Sequence, residues 1–467
     1  MLNITASYTD LYQLTMSEAY FLSGKMNGTA VFDYFFRKLP FNGGYVIFSG
    51  LADLLKVLEN LHFNEEDIHF LSYHGFDPDF LEYLKDFRFK GNIRSLHEGD
   101  VVFPTMPVLQ VEADIIEAQI VETLLLNILN FQSLIATKAR RIREVASDHV
   151  LIDFGMRRAQ GFGSYFATRA SIIGGFDLTS NVLAAKDFDI PVSGTMAHSF
   201  IQAYDDELTA FRAFSDTRPD DCVLLVDTYN TLQSGLPNAI KVANEMEVRG
   251  KRLKAIRLDS GDLAFLSKTC RKVLDKAGLQ YVKIAASNQL NEYLIKSLLD
   301  QDAPIDIFGV GTNLVVGEPD AALDGVYKLC LYDNIPRIKL SENLSKITLP
   351  HRKQVFRVYN KEGVFRGADV ISLQDENEIM EMHHPFDILK SMSIKNNEVE
   401  ALLHPIMENG KRLEKDQSLK EIFTYSQKRF SLLPAECKRF DNPHEYKVGI
   451  SPGLRKERDK LLKVHNH

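Results

Sequence analysis

Cysteine is scarce in this chain of 467 residues: Cys222, Cys270, Cys330 and Cys437 lie far apart, with no C-x-x-C pair. That spacing disfavours a disulfide framework or a cysteine zinc site. Positive charge is short too, since 55 Lys plus Arg face 63 Asp plus Glu, a net of −8. Such a chain is not built to coat nucleic acid, although a local basic pocket remains open to it. No uninterrupted run of 18 or more apolar residues occurs, so no membrane span is expected. The start, MLNITASYTDLYQL, lacks a basic segment followed by an apolar run, so no secretory signal is expected. What is present is ordinary globular composition, 45% hydrophobic and 25% charged. It reads as a soluble, reduced, cytoplasmic protein whose size fits an enzyme.

Three segments are expected. Residues 1–145 read as an N-terminal α/β domain, discontinuous and completed by later chain. There TDLYQLTMSEAYFLSG has the pattern of an amphipathic helix capped by Thr9 or Asp10, and TAVFDYFFRKLP that of a strand stopped by Pro40. A long helical pattern covers 114–144. The basic residues in its last turns, Lys138, Arg140, Arg141 and Arg143, read as a solvated helix end complementing the macrodipole.

Residues 146–330 alternate short apolar runs with stretches of helical period. The runs are VLIDFG, DIPVSG, CVLLVDT, KAIRLDS, VKIAASN and IDIFGVGT. Continuously apolar runs with polar flanks are parallel strands buried on both faces. An open doubly wound sheet concentrates ligand residues at one switch point, whereas a barrel brings every strand to a common mouth. Nearly every run here ends in chemistry-capable residues: Arg157 and Arg158, Thr195 and His198, Asp227, Asp259 and Asp262, Ser287 and Asn288, Thr312. The expected fold is therefore an irregular (β/α) barrel with an additional α/β domain. It is irregular because six units fall short of the usual eightfold barrel. Residues 331–467 read as a β-rich continuation and C-terminal extension, with turns at Asp333-Asn334, near Gly363 and at Asn409-Gly410. The closing SPGLRKERDKLLKVHNH reads as a charged, exposed tail.

GVGTNLV follows the run IDIF, so the N–H groups of Gly309 to Thr312 and the Thr312 hydroxyl could cradle a phosphate. Thr195 and His198 open a helix, where free N–H groups and the dipole favour an anion. A histidine there could bind or accept a phosphoryl group, or simply be tied to its neighbours. Asp227, Asp259 and Asp262 at one mouth would repel unless a cation or substrate hydroxyls lay between them. Mg²⁺ suits carboxylates shared with substrate phosphates, and helix capping is the plainer alternative. Arg157, Arg158 and Arg257 add guanidinium forks for carboxylate or phosphate. Together these imply a mouth for a small phosphorylated, magnesium-bound polyanion.

The segments TDLYQLTM, FGMRRAQG (154–161), GGFDLTSNVLAAKDFDIPVSGTMAHSF (174–200), IRLDSGDL (256–263) and FGVGTNLV (308–315) together resemble nicotinate phosphoribosyltransferases, in order over most of residues 5–355. The resemblance implies transfer of phosphoribose from phosphoribosyl pyrophosphate to nicotinate, with ATP hydrolysis coupled through a phosphohistidine. It also implies an irregular barrel with an α/β domain from the chain ends, and a homodimer with shared active sites. By position, it implies that His198 is phosphorylated. Tyr12 would lie against the pyridine ring, supplied across the dimer interface, and Phe154 would cover the other face. Thr195 and Arg257 would contact nicotinate, with Arg157 a further candidate. Gly309, Gly311 and Thr312 would hold the ribose 5-phosphate. Facing Asp227 and Asp259 to Mg²⁺ or ribose hydroxyls is our own assignment.

The nearest alternative is nicotinamide phosphoribosyltransferase. Ser180 stands where an amide-preferring aspartate would align, which favours nicotinate, although a shifted alignment would bring in Asp177. In PHRK at 350–353 the family more often has glycine after the proline, so His351 marks a local departure. A non-catalytic metabolite-binding homologue is a third reading. Intact Arg257, His198 and GVGT argue against it.

Overall fold

The computed structural model describes residues 4–342, 346–376, 378–387 and 389–465. The chain divides into two compact units, one formed by Met1–Thr137 with Ala322–His467 and the other by Lys138–Ala321.

In the second unit, six strands follow in chain order: Val150–Asp153, Leu178–Thr179, Val223–Leu225, Ala255–Leu258, Lys283–Ala286 and Ile307–Val310. Their spatial order is second, first, sixth, fifth, fourth, third, and every pairing is parallel. That is the order met on walking around a barrel, left open between the second and third strands. The expected irregular α/β barrel is thus a curled sheet. Leu151, Leu224, Ile256, Ile284 and Phe308 are fully buried on one face. On the other, Ile152, Ala255, Ala285 and Ile307 form a cluster. Burial on both faces is why the runs are apolar at every position.

One run behaves differently. DIPVSG forms no strand, and only Val192 bridges Thr179. Pro191 has no N–H to give a ladder, and the Thr179 N–H donates to its carbonyl. The short strand Leu178–Thr179 takes the place expected for DIPVSG.

A second correction concerns the helix Glu122–Ala146. Lys138, Arg140 and Arg141 are only 2–3% exposed, not a solvated helix end. Lys138 Nζ lies 2.5 Å from Glu292 Oε2 and Arg141 Nε 3.4 Å from Glu292 Oε1. Glu292 is fully buried and supplies the charge that lets these cations leave water. The wider stretch Ile115–Ala146 also has the length and mean hydropathy, 1.4, to cross a membrane, with 72% of its apolar window buried in the protein. The expectation of no such stretch therefore holds for unbroken runs only, and a core helix passes the same test.

The first unit holds an antiparallel seven-stranded sheet that includes Thr29–Phe36, as expected, and a six-stranded sheet built from residues after 352. Asp333 and Asn334 both have positive φ, as do Asn409 and Gly410, the backbone of a tight hairpin turn. The expected exposed tail is instead the helix Pro452–His465, with Leu454 fully buried. Arg357, fully buried, joins Asp100 at 2.7 Å to Asp369 at 2.9 Å, so later residues are built into this unit's interior. His351 takes a φ of 69°, the left-handed region that glycine enters without cost.

Candidate active site

The strand ends of the second unit surround a cleft of about 750 Å³. Phe154, Arg157, Ser180, Thr195 and His198 line it, and so do Arg257, Asp259, Gly309, Gly311 and Thr312. Asp227 does not line the cleft but is bonded to Asp259 behind it. Asp262 is a helix cap, accepting from Phe265 N at 3.0 Å, and leaves the expected carboxylate cluster. Tyr12 lies on the helix Leu11–Leu22 of the other unit, 50% exposed, and is not among the lining residues.

Asp153, which the sequence reading passed over, organises one wall. It is 1% exposed. Its Oδ1 accepts from Gly155 N at 2.8 Å, and its Oδ2 accepts from the Thr168 and Thr179 hydroxyls at 2.7 and 2.9 Å. Its backbone carbonyl accepts from both the amide and the hydroxyl of Ser180. Burial pushes the Asp153 carboxyl above the usual carboxylate range, against those hydrogen bonds. A single buried residue at a strand end thus places the Phe154 turn through its carboxylate and Ser180 through its backbone carbonyl. Asp177, the alternative to Ser180, is held by Leu151 N at 2.8 Å and by Arg143 at 2.6 Å, and does not line the cleft.

Gly309 has a packing reason of its own. A Cβ there would stand 2.4 Å from the Phe154 ring, so glycine is what lets the ring lie on the strand. The Arg257 guanidinium sits 5.5 Å from that ring's centre. Its Nη1 donates to Thr195 Oγ1 at 2.8 Å, its Nε to Ser287 Oγ at 2.9 Å, and its Nη2 to Asp259 Oδ1 at 3.0 Å. Two neighbouring strand ends and the Thr195 loop are therefore tied through one side chain that is 15% exposed. Arg157 and Arg158 are exposed in the cleft and form no ion pair among the described residues. Asn288 and Gln289, also lining it, have φ of 81° and 48°. Such left-handed backbone at non-glycine positions costs energy and gathers at functional sites. Asn313 Nδ2 holds that turn through the carbonyls of Gln289 and Leu290.

His198 opens the helix His198–Gln202. Its Nδ1 lies 3.1 Å from Thr228 Oγ1 and its Nε2 3.8 Å from Asp259 Oδ2. Asp227 Oδ2 accepts from Asp259 N at 2.9 Å and from the Ser260 hydroxyl at 2.5 Å, while its buried Oδ1 has no hydrogen-bond partner among the described residues. No group of three or more His, Cys, Asp or Glu able to hold a metal occurs among the described residues. Any cation here would have to share its ligands with substrate. The site therefore presents an aromatic wall, a guanidinium with hydroxyl neighbours, two free arginines and a half-exposed histidine. These suit a flat anionic ring beside a phosphorylated sugar.

Comparison with known proteins agrees with that chemistry. Profiles of the nicotinate phosphoribosyltransferase N-terminal domain, family and C-terminal domain match residues 8–130, 149–320 and 352–458. The nicotinate phosphoribosyltransferase of Bacillus subtilis (strain 168) is 44% identical over 456 residues, covering 95% of this chain and 92% of that protein. The chain belongs to the nicotinate phosphoribosyltransferase family. A family member from Mycobacterium tuberculosis is 42% identical, covering 96% of this chain and 92% of its own. The crystal structure of human nicotinic acid phosphoribosyltransferase superposes with a TM-score of 0.88 at 30% identity, covering 97% of this chain and 99% of that one. The match spans both units, so family membership extends over the C-terminal residues as well as the curled sheet.

Proposed function

We propose that this chain joins nicotinate to phosphoribosyl pyrophosphate, giving nicotinate mononucleotide and pyrophosphate in NAD biosynthesis by salvage. The observation that carries the reading is Arg257, held by Thr195 over the face of Phe154. A carboxylate-bearing pyridine needs such a cationic and hydroxyl-rich end beside an aromatic wall. An amide would be better served by a carboxylate acceptor, and the cleft carries Ser180 where one would stand. The exposed Tyr12 ring is assigned to the pyridine site of a partner subunit in a homodimer, and the compartment to the cytoplasm.

In this mechanism the pyridine nitrogen attacks the anomeric carbon while the bond to pyrophosphate breaks, through an oxocarbenium-like state. No protein nucleophile forms a bond to the ribose. The chain contributes by fixing the ring against Phe154 and Arg257, and by surrounding the leaving phosphates with Arg157 and Arg158. Gly311 and Thr312 hold the 5-phosphate. Asp259, which lines the cleft and is braced by the Asp227 carboxylate through its backbone N–H, would hold Mg²⁺ shared with substrate phosphates, and the ion would neutralise the leaving pyrophosphate.

ATP is the expected co-substrate, with His198 taking its terminal phosphoryl group. A phosphoryl group there adds about −1.5 to −2 charge beside the cleft and shifts the affinities of the states it separates. Purified protein should form nicotinate mononucleotide with ATP hydrolysed alongside, and absence of that product sinks the reading. His198→Ala should lose the coupling and keep slow, ATP-independent transfer. Coupling retained in that variant would remove His198 from the scheme.

A further inference from the structure

The two ring nitrogens of His198 face different kinds of group. Near Nε2 lies the Asp259 carboxylate, at 3.8 Å, which can only accept. Near Nδ1 lies the Thr228 hydroxyl, at 3.1 Å, which can donate or accept. The carboxylate favours the tautomer protonated at Nε2. Nδ1 then carries the lone pair, which accepts from the hydroxyl.

Thr228 is not loosely placed. Val226 N donates to Arg257 O at 3.2 Å, and the Asp227 carboxylate accepts from Asp259 N. A Cβ on Gly235 would meet Val226 O at 1.9 Å, so glycine allows the turn after Thr228 to fold back closely. The backbone bearing Thr228 is pinned to the strand that bears Arg257 and to Asp259 just after it.

We propose that Thr228 is a positioning residue for phosphoryl transfer to His198. The proposal rests on the reading of His198 as the phosphoryl acceptor. The hydroxyl fixes the ring through Nδ1, then turns from Nδ1 to an oxygen of the arriving phosphoryl group, releasing the lone pair as the N–P bond forms. In the step, the Nδ1 lone pair forms the N–P bond to the γ-phosphorus of a nucleoside triphosphate. The bond from that phosphorus to the bridging oxygen breaks, and its electron pair leaves with the nucleoside diphosphate. Nε2 keeps its proton, and Asp259 balances the resulting ring charge. In the return step water attacks the phosphorus, the N–P pair goes back to Nδ1, and the water proton leaves on the phosphate.

The test uses the full chain with γ-labelled ATP, reading acid-labile phosphohistidine against time, with thermal unfolding as the check on folding. Thr228→Val should form phosphohistidine about tenfold more slowly, the order expected for one lost hydrogen bond. Thr228→Ser, which restores the hydroxyl, should return it to within about threefold on the same scale. Thr228→Ala serves if valine disturbs folding. Labelling at the wild-type rate in the folded hydroxyl-free variants overturns the proposal, and so does equal loss in Thr228→Ser. Phosphate found on Nε2 in the wild type overturns it while leaving His198 as acceptor. No phosphohistidine in the wild type overturns both this role and the reading beneath it.

Discussion

The Arg257 guanidinium lies 5.5 Å from the centre of the Phe154 ring and donates to Thr195 at 2.8 Å. Charge, hydroxyl and aromatic face thus converge where strand ends meet. Replacing Arg257 by alanine also leaves Asp259 without its ion-pair partner. Lost charge-assisted hydrogen bonds cost about 1.5–3 kcal/mol, so kcat/KM for nicotinate should fall by roughly ten- to a hundredfold or more. Arg257→Lys should fall less but not recover, because one ammonium cannot reproduce the fork. Steady-state kinetics on both variants checks this.

Gly309 separates two explanations of the glycine loop. A methyl group at this position would press on the Phe154 ring from 2.4 Å, so Gly309→Ala must displace the ring or strain the strand. Overpacking of this kind costs about 1–3 kcal/mol. The variant should raise KM for nicotinate more than KM for phosphoribosyl pyrophosphate. The reverse order would assign Gly309 to the phosphate instead.

Asp153 predicts a pH signature. Its carboxyl is held above its unfolded-state range by burial, so the folded chain binds this proton more tightly. The stability it contributes is present below the unfolded pKa of about 3.9 and is lost as pH rises through the raised folded value. Asp153→Asn should flatten that part of the stability–pH curve, measured by denaturant unfolding across mildly acidic pH. An unchanged slope would contradict the assignment.

Glu292 anchors Lys138 and Arg141 in the interior of the second unit. Glu292→Gln removes the buried carboxylate that both cations face, and breaking a buried pair this way costs about 3–5 kcal/mol. Thermal unfolding should show a clear loss of stability, where a solvated helix end would show almost none.

The curled sheet was legible because strands buried on both faces must be apolar throughout, as in CVLLVDT and KAIRLDS. Leu178–Thr179 escaped notice because two residues make no periodic pattern, and DIPVSG misled because Pro191 withholds a donor. The cleft residues were legible where chemistry crowds strand ends, as at Arg257 and His198. Asp153 and Thr228 were not, since each acts through partners the sequence does not pair. The same limit hid the burial of Lys138, whose counter-ion stands 154 positions away. The final helix was missed because its polar face dominates SPGLRKERDKLLKVHNH, and its buried side carries Leu454 beside an arginine, Arg458, that reads as exposed.

The central claim is that the cleft selects a pyridine carboxylate. Pyrophosphate release measured with nicotinate and with nicotinamide, each with and without ATP, tests it most directly. The account predicts strong preference for nicotinate, of the order of a hundredfold or more in kcat/KM, with turnover raised by ATP. Equal or faster release with nicotinamide would contradict it.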